Sequence, residues 1–222
     1  WTPDNEKTGI GWSEEAVINM GRELVKRGFE VTVFGNHGFE AKTYEGVTYK
    51  PYWEWSPEEP TDIFIGWRDP TLFDIEIVAT KKFLWLHDTN PESSLTAPRL
   101  AKMDGIFVLS KYHRSLYPNV PDEKFILSAN GINPEQFPDG LGKKDGKAMY
   151  VSAPNRGLLT LLKLWPRIKE KVPHAELYWA YGWETYDIMM RTNPLARAYK
   201  EECLKAMEGL QCFHDLGRIG HA

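Results

Sequence analysis

Two cysteines in 222 residues, Cys203 and Cys212, are too few for a disulfide framework and fit no metal-site spacing. They read as reduced thiols of a cytosolic protein. No apolar run approaches the roughly eighteen residues of a membrane-spanning helix; FLWL and GIFVL are strand-sized. No signal-peptide pattern is visible, so a cytoplasmic location is expected. Positive charge is not in excess: 27 Lys and Arg stand against 31 Asp and Glu, a net charge of -4. That argues against a general nucleic-acid or anionic-membrane surface. A Walker loop is missing, as is a G-x-S-x-G elbow, which leaves P-loop nucleotide hydrolysis and α/β-hydrolase chemistry without support. There is no internal repeat and no low-complexity tract.

What is present is a globular composition, 42% hydrophobic and 26% charged. Short apolar runs alternate with helical patterns, which predicts an α/β fold with largely parallel sheets. Strands are expected at 29–35, 47–52, 62–67, 82–87, 104–110 and 124–129. A stretch rich in Pro, Gly and charge follows, INPEQFPDGLGKKDGK. Beyond it the alternation restarts with a strand at 147–153, a helix at 156–171, a strand at 175–182, a further helix and a strand at 209–215. The expected organisation is a first lobe over 1–135, a linker over 136–146 and part of a second lobe over 147–222. In the first helix, Ala16, Val17, Met20 and Leu24 form the expected core stripe. In the second the stripe is Leu158, Leu161, Leu162, Trp165, Ile168 and Val172.

TGIGWSEEAVINMGRELVKRGFEVTVFGN (8–36) is a glycine turn, a helix and a strand. Gly9 and Gly11 permit a sharp turn and close ligand approach, and Ser13 suits an N-cap. Glu14 and Glu15 already complement the helix dipole, so a plain turn and an anion site both satisfy this spacing. A dinucleotide fingerprint fits poorly: G-I-G-W-S-E lacks the third glycine, and the next strand ends in Gly35-Asn36 rather than a carboxylate. In SAPNRGLL (152–159), arginine opposes the dipole at a helix start, and glycine in a first turn costs up to about 1 kcal/mol. Two poor local choices side by side favour a site, an anion clamp at Arg156 and Gly157, over a surface arginine. WLHDTN sets His87 and Asp88 at a strand's C-terminal end, where open α/β sheets bind ligands, although a structural histidine is the plainer reading. Trp67 and Arg68 occupy a similar strand end. Ser110 reads first as an N-cap. HDLGRIGH offers His214, Arg218 and His221 around two glycines, with no metal spacing. Nine tryptophans and ten tyrosines could stack on a sugar, but composition does not locate a sugar site.

Taken in order, these motifs resemble the GT-B glycosyltransferases of the retaining family four. The opening glycine loop, helix and strand, then FVLSKYHRSLY and ANGINPEQF, resemble that family's first lobe. APNRGLLTLLKLWPRIKEKVPHAELYWAYG and GLQCFHDLGRIGH resemble the start of its nucleotide-sugar lobe. The resemblance implies two Rossmann-like lobes across a cleft, a nucleotide-diphosphate sugar as donor, retention of configuration, and no metal or other cofactor. By position, His87 matches a histidine near the transferred sugar and Arg156 the basic residue beside the diphosphate. Gly9 and Gly11 match the loop near the reacting phosphate. The candidate donor-binding set is thus Arg156, Asn155, Gly157, Gly9, Gly11 and Arg218. The candidate acceptor-binding set is Trp12, Trp67, Arg68 and Ser110, for an acceptor of unknown identity. The family's first strand has no counterpart before Gly9. Its second basic residue is replaced by Ser152-Ala153-Pro154, and its acidic E-x7-E region is not reached, so a truncated second lobe is expected. Two other functions compete: a non-catalytic nucleotide-sugar-binding or interaction protein of the same fold, and a dinucleotide-dependent enzyme.

Overall fold

The computed structural model describes residues 1–132, 134, 142 and 144–220. The chain divides into two compact units, Trp1–Pro3 with Gly11–Pro134 and Asp4–Ile10 with Glu135–Ala222. The expected linker at 136–146 lies largely outside the described residues, as does His221. The architecture is mixed α/β with mostly parallel sheets.

In the first unit, α1 (Trp12–Lys26) leads into β1 (Val31–Gly35), β2 (Lys42–Tyr44) and β3 (Val47–Pro51). β1 and β3 pair in parallel from Val31 opposite Val47 to Gly35 opposite Pro51, and β2 adds antiparallel to β3. The sequence reading missed β2. Three residues, KTY, are too few to show alternation. The reversal into β3 rests on Glu45 and Gly46, both at positive φ (50° and 84°), as two-residue hairpin turns require.

The buried face of α1 differs from the expected stripe. Ala16, Val17, Met20 and Leu24 are only half-buried, whereas Ile18 and Gly21 are buried. The cause is Gly21. A Cβ there would lie 3.2 Å from Val47 Cγ2, so the missing side chain lets the helix backbone settle onto β3. Periodicity counts apolar side chains and overlooks a glycine at the centre of a face.

A second sheet in this unit runs β4 (Thr61–Trp67), β5 (Ala79–Trp85), β6 (Gly105–Val108) and β7 (Phe125–Leu127), all parallel and adjacent in chain order. The crossovers are short: a 3-10 turn at Pro70–Asp74, then α2 (Ala97–Lys102) and α3 (Lys111–Ser115). Phe73, Leu84, Leu86, Met103, Ile106, Val108 and Tyr117 form the core beneath them.

The second unit contains β8 (Lys147–Tyr150), α4 (Leu158–Lys171), β9 (Glu176–Trp179), α5 (Glu184–Met190), α6 (Pro194–Met207) and β10 (Phe213–Asp215). Its sheet order is β10-β9-β8, all parallel. Strands β7 and β8 do not pair as a hairpin; each joins its own sheet. The stripe expected on α4 is core, with Leu158, Leu162 and Trp165 buried against Leu177, Trp179 and Cys203.

Burial of Gly21 yields a direct test. Gly21→Leu would overpack the α1–β3 contact and lower stability by about 1–3 kcal/mol, read from denaturant unfolding. An unchanged midpoint would show that α1 does not rest on β3 at this point.

Candidate functional site

Parallel pairing brings several of the expected residues to the C-terminal ends of β4 and β5. Trp67 and Trp85 are register partners, so the residues that follow each strand emerge side by side. Arg68 adopts positive φ (68°), unusual for a non-glycine residue, and is fixed from several directions. Its N–H donates to the Trp85 carbonyl (2.9 Å), and its own carbonyl accepts from Asn90 Nδ2 (2.9 Å). Its guanidinium donates to the Asp88 carboxylate, lies 3.9 Å from Glu14 and covers the Trp67 ring at 5.2 Å. Asp88 is held in turn by a residue that the sequence did not single out. The buried His113 accepts from Leu109 N–H at Nδ1 (3.3 Å), so its Nε2–H donates to the Asp88 carbonyl (3.0 Å).

His87 is half-buried between the Trp85 and Trp67 rings, at 4.5 and 6.3 Å between centroids. Burial, and then the Arg68 charge, lower its pKa below the usual histidine value, so the neutral imidazole prevails at pH 7. Its Nε2, with Trp67 Nε1 and Trp85 Nε1, is buried and meets no hydrogen-bond partner among the described residues. Buried polar atoms normally find one, so these three are exceptions to the rule. Ser110 is placed differently. Its hydroxyl accepts from His113 N–H (3.0 Å) as the N-cap of α3, a structural use. Trp12 opens α1 and is exposed, while Gly11, and not Ser13, is its N-cap; Ser13 donates instead to Glu14 (3.0 Å).

In the second unit, the loop after β8 carries Asn155, Arg156 and Gly157. The expected helix over 156–171 starts two residues late. Asn155 and Arg156 form a 3-10 turn with Pro154, and Gly157 caps α4 at φ 118°. Left-handed backbone of this kind separates turn from helix and favours glycine. The helix N–H groups expected to be free are partly taken. Leu159 N–H donates to the Tyr199 hydroxyl (3.3 Å), which itself donates to the Pro154 carbonyl (2.7 Å). Arg156 itself is exposed, and its guanidinium has no hydrogen-bond or ion-pair partner among the described residues.

The ends of β9 and β10, with the first turn of α5, frame an open surface depression lined by Trp183, Glu184, Asp187, Asp215 and Gly217 among others. Lys200 pairs with Asp187 (2.6 Å), and Asp215 accepts from Gly217 N–H (2.9 Å). Glu184 has no such partner among the described residues. The depression therefore presents acceptors together with a cation, since the Lys200 ammonium also lies 5.0 Å from the Trp183 ring. None of these acidic residues was anticipated, because they come from the first turn of α5 and the end of β10, some thirty residues apart, with no shared motif. Arg218 leaves the same β10 loop and donates to the Gly9 carbonyl (2.6 Å), joining Gly9 (φ 98°) to this unit. A Cβ on Gly9 would lie 2.7 Å from the Ile219 carbonyl oxygen, so glycine is required there on two grounds. His214 stacks on Tyr178 (4.5 Å) and lies 3.7 Å from Glu176, away from the loops.

Among the described residues, no group of three or more His, Cys, Asp or Glu side chains could hold a metal ion, and no helix is long and apolar enough to cross a membrane. No protein-family model and no curated protein matches the chain.

Two tests follow from this geometry. Tyr199→Phe would strip the hydroxyl from Leu159 N–H and Pro154 C=O and cost about 1–3 kcal/mol; unchanged stability would show that the cap contributes nothing. The second concerns pH. Burial lowers the pKa of both His37 and His87, so below about pH 6.5 the unfolded chain binds protons that the fold resists. Stability is full above that value and falls as pH drops through the window between the unfolded and folded values. The thermal midpoint should therefore be lower near pH 5.5 than near pH 7.5, with a smaller difference in His87→Gln. A midpoint that does not change between those pH values would contradict the burial of these rings.

Proposed function

We propose that this protein is a GT-B glycosyltransferase that moves a sugar from a nucleotide-diphosphate sugar to an acceptor, with retention of configuration, in the cytoplasm. The observation that carries the proposal is the division of chemistry along one sheet edge of the second unit. The β8 loop offers an exposed guanidinium without a counter-charge at Arg156, beside the bare backbone of Gly157. The ends of β9 and β10, with the start of α5, offer a carboxylate-bearing depression with an indole at Trp183. A nucleotide sugar has the complementary division: a diphosphate in the middle, with hydroxyl-rich rings and a base at its ends.

In this reading Arg156 stabilises the departing diphosphate, where charge grows in the transition state. The acceptors of the depression orient ring hydroxyls. In the first unit, the strand ends that carry Trp67, Arg68 and His87 form the acceptor side. Arg68, already committed to Asp88 and Glu14, orients that edge and does not bind phosphate. The chain order of the motifs that resemble family four supports the same conclusion.

Arg156→Ala should weaken nucleoside-diphosphate binding by roughly 1.5–3 kcal/mol, about ten- to a hundredfold in affinity, with thermal stability unchanged. Arg156→Lys should restore part of it, keeping charge without the planar fork. Calorimetric titration with nucleoside diphosphates, together with release of diphosphate from a panel of nucleotide sugars, measures both halves. Unchanged affinity in Arg156→Ala would remove the residue from the site and the donor reading with it.

A further inference from the structure

The first unit carries a second aromatic group, separate from the Trp67–Trp85–His87 edge. Phe39, in the loop after β1, is 88% exposed; Tyr52 and Trp53, in the 3-10 turn after β3, are 63% and 51% exposed. The rings touch one another: Phe39 to Trp53 at 5.9 Å between centroids, and Tyr52 to Trp53 at 5.0 Å. β1 and β3 are parallel neighbours, so their following loops leave from the same edge. The Trp1 ring touches both His37, just after β1, and Trp67, at the end of β4. The exposed rings and the Trp67 edge therefore lie on one side of this unit.

These rings are held outward by the turn that carries them. Trp55, the next aromatic, stacks on Phe64 of β4 at 5.5 Å and 21°, and its N–H closes the turn onto the Tyr52 carbonyl (3.2 Å). With Trp55 turned inward, Tyr52 and Trp53 are presented on a fixed backbone. A chain gains nothing in stability by exposing three adjacent rings, and contiguous exposed apolar surface marks interaction sites.

We propose that Phe39, Tyr52 and Trp53 form a stacking platform for a neutral saccharide. The rings offer flat π faces to the C–H face of a pyranose. Glu40 and Glu54 adjoin Phe39 and Trp53 in sequence, are exposed, and have no ion-pair partner among the described residues. Their carboxylates accept from sugar hydroxyls. The same charges repel phosphate, which disfavours nucleic acid and anionic lipid on this surface. The proposal names the acceptor class for the transfer reaction above and depends on that reading only for the use made of the bound saccharide.

The test is titration of the whole protein, without nucleotide sugar, with maltotetraose, cellotetraose and mannotetraose, followed by calorimetry and saturation-transfer NMR. At least one of these should bind, with affinity falling about tenfold or more in Phe39→Ala and in Trp53→Ala while the thermal midpoint stays unchanged. No binding of any of the three, or binding indifferent to both substitutions, would overturn the platform. So would adsorption to phosphatidylglycerol vesicles, or self-association, that either substitution abolishes. Arg156→Ala should leave saccharide binding intact. Failure of the platform is thus separable from failure of the donor site.

Discussion

Parallel strand pairing is the constraint from which both candidate sites arise. In a parallel sheet every strand ends at the same edge, so the loops that follow neighbouring strands must emerge together, whatever their separation in sequence. Trp67 opposite Trp85 brings Arg68 and Asp88 within reach across some twenty residues. In the other unit, the register of β8, β9 and β10 gathers loops that start near residues 151, 180 and 216. The strands are short, three to seven residues, yet each edge is fixed because the faces beneath are filled by Leu84, Leu86 and Ile106 in one unit and by Leu177 and Trp179 in the other.

Charge then separates the two edges. Arg68 faces two carboxylates, so its local field is cancelled. Two unit charges at about 4 Å interact by roughly 4 kcal/mol at the effective dielectric of a protein surface, far above thermal energy. A phosphate approaching Arg68 must displace Asp88 before it gains anything. Among the described residues Arg156 has no such competitor, and an incoming phosphate need break no ion pair with them. Its exposure reduces the interaction toward the value in water, about 1 kcal/mol for each close charge pair, until the ligand itself excludes solvent. An exposed guanidinium therefore attracts an anion strongly only where solvent is excluded.

Local chemistry was legible in the sequence, whereas long-range partnership was not. The strands expected at 62–67, 82–87 and 147–153, which run Thr61–Trp67, Ala79–Trp85 and Lys147–Tyr150, the core stripe of α4 and the N-cap at Ser110 follow from periodicity and from a serine placed before a helix. The buried face of α1 did not, because Gly21 contributes by having no side chain. The cap of α4 was hidden for another reason: Tyr199 sits forty residues beyond Leu159, and nothing near the helix start signals that a tyrosine hydroxyl will stand in for the usual serine or aspartate. His113 was read only as part of a helix start, yet it positions Asp88 through a contact across 25 residues. The depression of Trp183, Glu184 and Asp215 was invisible because its acceptors assemble only when β9 and β10 pair.

Arg68 shows how far such partnership can overrule local preference. Left-handed backbone costs a side-chain-bearing residue roughly 1–2 kcal/mol, and a glycine there would avoid the cost. The conformation persists because three groups require it: the Trp85 carbonyl, the Asn90 amide and the Asp88 carboxylate. Each of these hydrogen bonds contributes about 1 kcal/mol net, enough together to offset the strain. A surface arginine serving only solubility would have no reason to be held from three directions against its own backbone preference. Strain of this kind persists where a particular orientation is needed. Here it aims the guanidinium across the face of Trp67, at the strand end where Trp67 and Trp85 are register partners.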